Sequence, residues 1–273
     1  MPVPADTHRL RWTAGAVLAI GLGVGAAQHM HLFAGSKSTA VPLDRTQQRY
    51  NASTSSSAIT IAIDETTQPA AITAQLPAPG VYVYATTGRD SVDALTGAHH
   101  DYPATTTITV TPTTCGVQQR WDILEQRWEQ WQRCADGEGI SESGRTNYDE
   151  FFGQSQTDTW VCSGDARPLT ATAGTTWTAT CTGATSTDTF HGVVVASESQ
   201  QVGSSAVPTT HVRVTITNDN PADNQVIDTW YFTGSDLVVA QTSTAATSND
   251  TQIGTVHYAE TYEIHLTSLT PLT

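Results

Sequence analysis

The chain has 273 residues, room for one large domain or two small ones, and its 12 Lys plus Arg against 26 Asp plus Glu leave a net charge of −14. From residue 76 onward seven basic residues face 22 acidic ones, and a surface with that balance repels phosphate backbones, which excludes nucleic acid as a partner class. Lysine is nearly absent while Thr and Ala are abundant, a composition that suits polar-surfaced strands better than long helices.

Residues 1–12 read as a short cytoplasmic tail carrying Arg9 and Arg11. The segment TAGAVLAIGLGVGAAQHMHLF that follows is free of Asp, Glu, Lys and Arg, and two readings of it stay open. As a transmembrane anchor over 13–34 it reaches the roughly 20 residues that a bilayer core requires, with the arginines on the cytoplasmic side. As a cleaved signal peptide its apolar run covers 14–25, and Val24-Gly25-Ala26 supplies small residues for a peptidase. Either way the rest of the chain is extracytoplasmic, held to the cytoplasmic membrane by the N-terminal helix or secreted.

Residues 35–78 are rich in Ser, Thr, Ala, Gln and Pro with one short apolar patch, Ile59 to Ile63, and read as a disordered stalk. From residue 79 to 273 the texture changes to short alternating runs: VYVYATT, TTTITVTPT, FHGVVVAS, HVRVTITN, VIDTWYFTG, LVVAQTST and TVHYAETYEIHLTSL, separated by turn-forming stretches. In HVRVTIT, Val212, Val214 and Ile216 face one way, and His211, Arg213 and Thr215 the other. The expected fold is all-β, a single antiparallel curved sheet or half-barrel meander.

The stretch CGVQQRWDILEQRWEQWQRC, Cys115 to Cys134, has helical periodicity through Val117, Trp121, Leu124, Trp128 and Trp131. A helix would hold the two cysteines about 28 Å apart, and a disulfide needs Cα atoms within about 7 Å. A hairpin with Cys115 opposite Cys134 sets Trp121 against Trp128, Arg120 against Glu129 and Asp122 against Arg127 around a Leu124-Glu125 turn. The hairpin is the expected form. Its inner face would carry Val117, Trp121, Ile123 and Trp128, and its outer face Arg127 and Glu129.

Four cysteines in an exported chain imply two disulfides, and three connectivities are possible. Both Cys115 to Cys134 and Cys162 to Cys181 are 19 residues apart, which together with the hairpin favours these two local pairs.

The order GVYVYATTG, YPATTTITV, the cysteine-bounded RWD/RW/W segment, FFGQS, and DTWYF before GTVHYAETYEIHLTSLTP resembles uncharacterised, membrane-anchored envelope proteins of high-GC Gram-positive bacteria. More remotely, the strand meander is similar to LolA-like lipoprotein carriers, whose half-barrel holds acyl chains in its concavity. That resemblance implies a hydrophobic, lipid-like envelope ligand; it is an analogy of fold without a shared motif.

Asp228 shares the strand parity of Val226, Trp230 and Phe232, and Glu260 that of Tyr258, Tyr262 and Ile264. Buried carboxylates need a partner such as Arg213, a tyrosine hydroxyl or a ligand. The candidate ligand-binding set is therefore Trp121, Trp128, Asp228, Trp230, Tyr258, Glu260 and Tyr262, lining one apolar space. His99-His100-Asp101 lacks the remaining ligands of a metal site; strand spacing permits a metal pair at His257, Glu263 and His265, which are read instead as an ordinary solvated face, and no catalytic residue or cofactor is assigned. No strand-turn-helix elbow frames Ser163 beside Cys162. The expected function is a non-enzymatic extracytoplasmic module of the cell envelope that binds or carries a hydrophobic component. The alternative is a structural or adhesive surface protein with no small-molecule ligand.

Overall fold

The computed structural model describes residues 38–56 and 76–273, apart from 94–96, 138, 185, 221–222 and 252–253. The tail, the candidate anchor and residues 57–75 of the expected stalk lie outside the described residues. No described helix is long and apolar enough to cross a membrane.

Among the described residues fourteen strands follow one helix, α1 (Leu43–Ser56). They are β1 (Gly80–Val92), β2 (Ala98–Asp101), β3 (Thr105–Pro112), β4 (Gly116–Leu124), β5 (Arg127–Asp136), β6 (Gly139–Phe151) and β7 (Gln154–Gly164). Then come β8 (Arg167–Pro168), β9 (Thr176–Gly183), β10 (Thr187–Val202), β11 (Ser205–Thr217), β12 (Asn224–Phe232), β13 (Val238–Thr251) and β14 (Gly254–Leu266). The all-β antiparallel expectation holds, but the sheet closes on itself: β14 pairs with β1 from Tyr84↔Leu266 to Val92↔Tyr258. Twelve strands form the barrel wall, with β2 added beside β1 and β8 beside β6. Closure removes both free sheet edges, which an open half-barrel would leave to pair with other chains.

The last strand shows which face of the wall is inside. Val256, Glu260, Tyr262, Ile264 and Leu266 are buried and Tyr258 is half-buried, while His257, Ala259, Thr261 and Glu263 between them are exposed. The polar row faces out, the reverse of a lipid-facing barrel with its outward apolar band.

Inside, the filling is unusual in its charge. Eight strands give a barrel that ordinary side chains just fill, and diameter grows with strand number. Twelve strands need longer side chains to meet across the lumen, and Trp121, Tyr84, Tyr262, Arg127, Glu129, Arg167 and Glu260 are all buried there. One apolar cluster, centred on Trp121, Ile108, Val212, Val239 and Ile264, occupies the end near Gly80, the upper end. A smaller one, of Val92, Ala98, Phe151 and Val256, closes the lower end.

The Cys115–Cys134 segment is a hairpin, but its register is shifted by one from the expected pairing. Trp121 stands opposite Glu129 and Asp122 opposite Trp128, and a bulge between Asp122 and Leu124 leads into a turn at Glu125-Gln126. Arg127 and Glu129 therefore point into the lumen, and Trp128 points out. The shift is stabilised on both faces. Inside, Arg127 meets three carboxylates; outside, Trp128 lies flat against Tyr148 at 5.6 Å with the Arg120 guanidinium 3.8 Å above its ring. The disulfides pair as expected, Cys115 with Cys134 and Cys162 with Cys181.

Part of the expected disordered stalk is ordered. Helix α1 follows Pro42, carries Asp44 in its first turn where the helix dipole favours an acid, and lies against β3 and β1. Thr46 is fully buried and accepts a hydrogen bond from the Thr107 hydroxyl at 3.3 Å; Arg49 pairs with Asp122 at 2.9 Å. The Glu125 amide donates to the Thr39 carbonyl at 2.8 Å, so the strap is tied to the β4–β5 turn as well. Low apolar content hid this element because polar contacts, not an apolar stripe, hold it.

Candidate functional site

The barrel lumen is the concave feature of the fold. Two spaces of about 90 Å³ each lie among its described side chains, with Glu129 and Arg145 lining both. Each is smaller than the roughly 150 Å³ that admits one benzene ring, and has the volume of about three waters.

The upper space lies among Trp131, Trp177, Tyr231 and Tyr262, with Arg133 and Arg167 in its wall. Arg167 pairs with Asp236, which also accepts from Gln119 Nε2 at 2.7 Å, and the Arg167 guanidinium sits 3.7 Å from the Tyr231 ring centre. The sequence brings Trp177 over Gly192 across the β9–β10 ladder, where an added Cβ would come within 2.1 Å of the indole.

The lower space is built around Arg127, whose guanidinium contacts Glu129, Asp149 (3.1 Å) and Glu260 (3.2 Å). Tyr102 donates its hydroxyl to Glu260. Burial pushes the Glu260 carboxyl up to about 7 against the pull of Arg127, with Glu129 adding to the rise. Burial likewise raises Asp149 to about 6, again opposed by Arg127. One guanidinium among three buried carboxylates cannot neutralise all of them, and raised proton affinity is the physical result. Behind this group His100 Nδ1 lies 2.9 Å from Asp90 Oδ1, both buried, with the imidazole on Phe151 at 4.4 Å.

Asp188, on the inward face of β10, is 6 % exposed and its Oδ1 has no hydrogen-bond partner. Burial lifts its carboxyl to about 6; Arg145 and a hydrogen bond from Asn218 pull the other way.

The structure separates the seven candidate residues. Trp121, Tyr258, Glu260 and Tyr262 are inside: the Trp121 ring is 4.6 Å from Tyr262, and its Nε1 donates to Thr106 Oγ1 at 2.8 Å. Trp128, Asp228 and Trp230 are on the outer wall. On β12 the inward residues are Ile227, Thr229 and Tyr231, so the parity expected from Val226, Trp230 and Phe232 is inverted. Large apolar residues on the outer face gave the wrong signal there. Asp228 does have the partner expected of it: Arg213 donates from Nε at 2.9 Å and from a terminal nitrogen at 3.0 Å. His211 Nε2 lies 2.7 Å from the same carboxylate and its ring stacks on Trp230 at 4.4 Å. Burial raises the Asp228 carboxyl, yet Arg213 and His211 outweigh it and hold it below the usual carboxylate range.

Arg127, Glu129, Asn147, Asp149 and Asp188 line the lumen and were missed. β5 and β6 carry polar residues on the inner face, so no apolar alternation marks it there, and the available signal was the charge alternation of RWEQW, read one register off; Asp188 shares the inward parity of Phe190 and Val194 on β10. Among the described residues one group has metal-like proximity, Glu142 with Cys162 and Cys181, and its sulfurs are committed to a disulfide. No family model, curated protein or solved structure matches the chain.

Proposed function

We propose that the protein is a non-enzymatic extracytoplasmic module of the cell envelope whose barrel serves as a rigid, closed support, and that it does not carry a lipid. The observation behind this reading is the filled, charged lumen: ligand pockets typically offer about 300–1,000 Å³ and are mostly apolar, whereas each space here is about 90 Å³ and bordered by ion pairs. An acyl chain would have to displace Arg127 or Arg167 from its carboxylates, leaving buried charges unpaired. Two disulfides fit an oxidising compartment, and they leave no described thiol as a nucleophile.

Native mass spectrometry of the full chain, extracted from its own envelope in mild detergent, tests the proposal. The expected species is the oxidised chain alone. A stoichiometric lipid, lost on Trp121→Ala in a protein that stays folded, would overturn it in favour of the carrier. Protease shaving of intact cells should release barrel fragments; full protection by the membrane would contradict the extracytoplasmic placement.

A further inference from the structure

The lower lumen has more acid than its own bases neutralise. Arg127 is shared among Glu129, Asp149 and Glu260, while Arg145 is 3.0 Å from Glu142 on the side of the upper space. Asp223, at the rim, receives hydrogen bonds from the Asn218 and Asn220 side-chain amides and the Ser248 amide. That leaves Asp188 as a buried carboxylate with no cation at ion-pair distance among the described residues, and with Oδ1 unpartnered.

Two further acceptors border the same space from other strands and also lack partners: Asn147 Oδ1 on β6 and Thr247 Oγ1 on β13. Unpartnered buried oxygens are costly, so three of them around one small space mark a place for a donor. Trp160 and Tyr258 add aromatic surface to the wall, which favours a cation over a neutral donor.

The chemistry of the donor set narrows the cation. A hard metal ion such as calcium takes six to eight oxygens at short range, and among the described residues no three carboxylate or imidazole groups of this space lie close enough together to share an ion. An ammonium group instead donates hydrogen bonds along three directions to separate acceptors, and one with a short alkyl stem fits the volume of about three waters. We propose that the lower lumen is a binding site for a small primary ammonium, held by Asp188 with Asn147 and Thr247 and backed by the Trp160 and Tyr258 rings. Protons compete with such a ligand, because burial raises the Asp188 carboxyl to about 6 and a protonated acid loses its attraction for the cation. Asp149, Glu260, Arg127 and Arg145 face the same space and set the remaining field.

The test titrates the full-length protein in mild detergent with methylammonium chloride, with sodium, calcium and tetramethylammonium chlorides as comparisons at equal ionic strength. Thermal midpoint and calorimetric heat are read. The expected result is a rise in midpoint with methylammonium alone; tetramethylammonium carries the charge but no N–H donor. Affinity should be higher near pH 7.5 than near pH 5. Asp188→Asn removes a buried charge and so does not threaten the fold, and it should weaken methylammonium by about tenfold or more. Thr247→Val keeps the side-chain shape and should weaken it by a smaller factor. Equal midpoints in methylammonium and sodium, a response to calcium alone, or unchanged methylammonium affinity in both variants would each overturn the site. None of these outcomes bears on lipid binding, which is read separately by mass.

Discussion

Trp121 stands opposite Glu129 in the β4–β5 ladder, and both side chains enter the lumen while Trp128, the next residue back along β5, lies on the outer wall. The two tryptophans of one hairpin therefore have different worth. Trp121→Ala empties a site that is 1 % exposed and removes the indole's hydrogen bond to the Thr106 hydroxyl, for a loss of about 3–5 kcal/mol. Trp128→Ala removes an outer-wall stack on Tyr148 and should cost about 1–2 kcal/mol. Urea denaturation of the two variants measures the difference, and equal losses would mean that the register is wrong.

How far the sequence could carry the fold is clearest strand by strand. β14 was legible because its inward residues are apolar apart from Glu260 and its outward ones polar apart from Ala259. β12 was misread because Trp230 and Phe232 are large and outward, while Thr229 opposite the fully buried Val212 is small and polar. β6 gave no signal, since its inward residues include Arg145, Asn147 and Asp149. The cysteine pairs were readable because each is local. Barrel closure was not: Tyr84 pairs with Leu266, and no local pattern links residues so far apart in the chain. Of the site, the need of Asp228 and Glu260 for partners followed from their chemistry, and Arg213 and Tyr102 supply them. Which of the two was inside depended on parity, which held on β14 and failed on β12, where large apolar residues face outward.

Arg127→Met should be among the most damaging single changes in the barrel. It leaves Glu129, Asp149 and Glu260 without their shared cation, and breaking a buried pair from one side costs about 3–5 kcal/mol. Adding Glu260→Gln to Arg127→Met should recover part of that loss near pH 7, because one buried charge is then gone. Additive losses in the double-mutant cycle would show that the residues do not act as a unit.

Stability should fall as pH rises from about 4 to 7. Glu260 and Asp149 have folded-state values of about 7 and about 6 against ordinary values of 4.5 and 3.8, so the folded chain binds protons more tightly than the unfolded one across that window. Their contribution is fully present below the unfolded values and is lost as pH passes the folded ones, at most about 3 kcal/mol for each. Asp228, with its depressed carboxyl, works in the opposite sense and only at lower pH. The urea midpoint should be higher near pH 5 than near pH 7.5, and Glu260→Gln should flatten the slope. A midpoint that climbs over this range would contradict the raised affinities.

The two disulfides should differ in reactivity more than in worth. Each closes a loop of sequence separation 19, for which loop entropy gives about 3 kcal/mol apiece. Cys115 is exposed at the upper rim, while Cys162 and Cys181 are 7 % and 1 % exposed on the lumen wall. A mild thiol reductant should therefore open Cys115–Cys134 first. Timed alkylation with peptide mapping reads the order, and simultaneous opening would indicate global unfolding before reduction.

Gly192 has an ordinary strand conformation, so its role is one of space. Trp177 faces it across the β9–β10 pair, and an added Cβ would lie 2.1–2.6 Å from three atoms of the indole, closer than any real contact. The glycine leaves room for the ring to lie over the backbone, where it is 9 % exposed and lines the upper space. Gly192→Ala must swing the ring away and should destabilise by about 1–3 kcal/mol, the range for an overpacked core. Gly192→Ala combined with Trp177→Ala should cost less than the two separate losses together, because the clash disappears with the ring. Near-ultraviolet circular dichroism should change in Gly192→Ala through the moved indole, while the far-ultraviolet strand signal stays. A variant with wild-type stability and an unaltered tryptophan signal would show that the ring does not rest on Gly192.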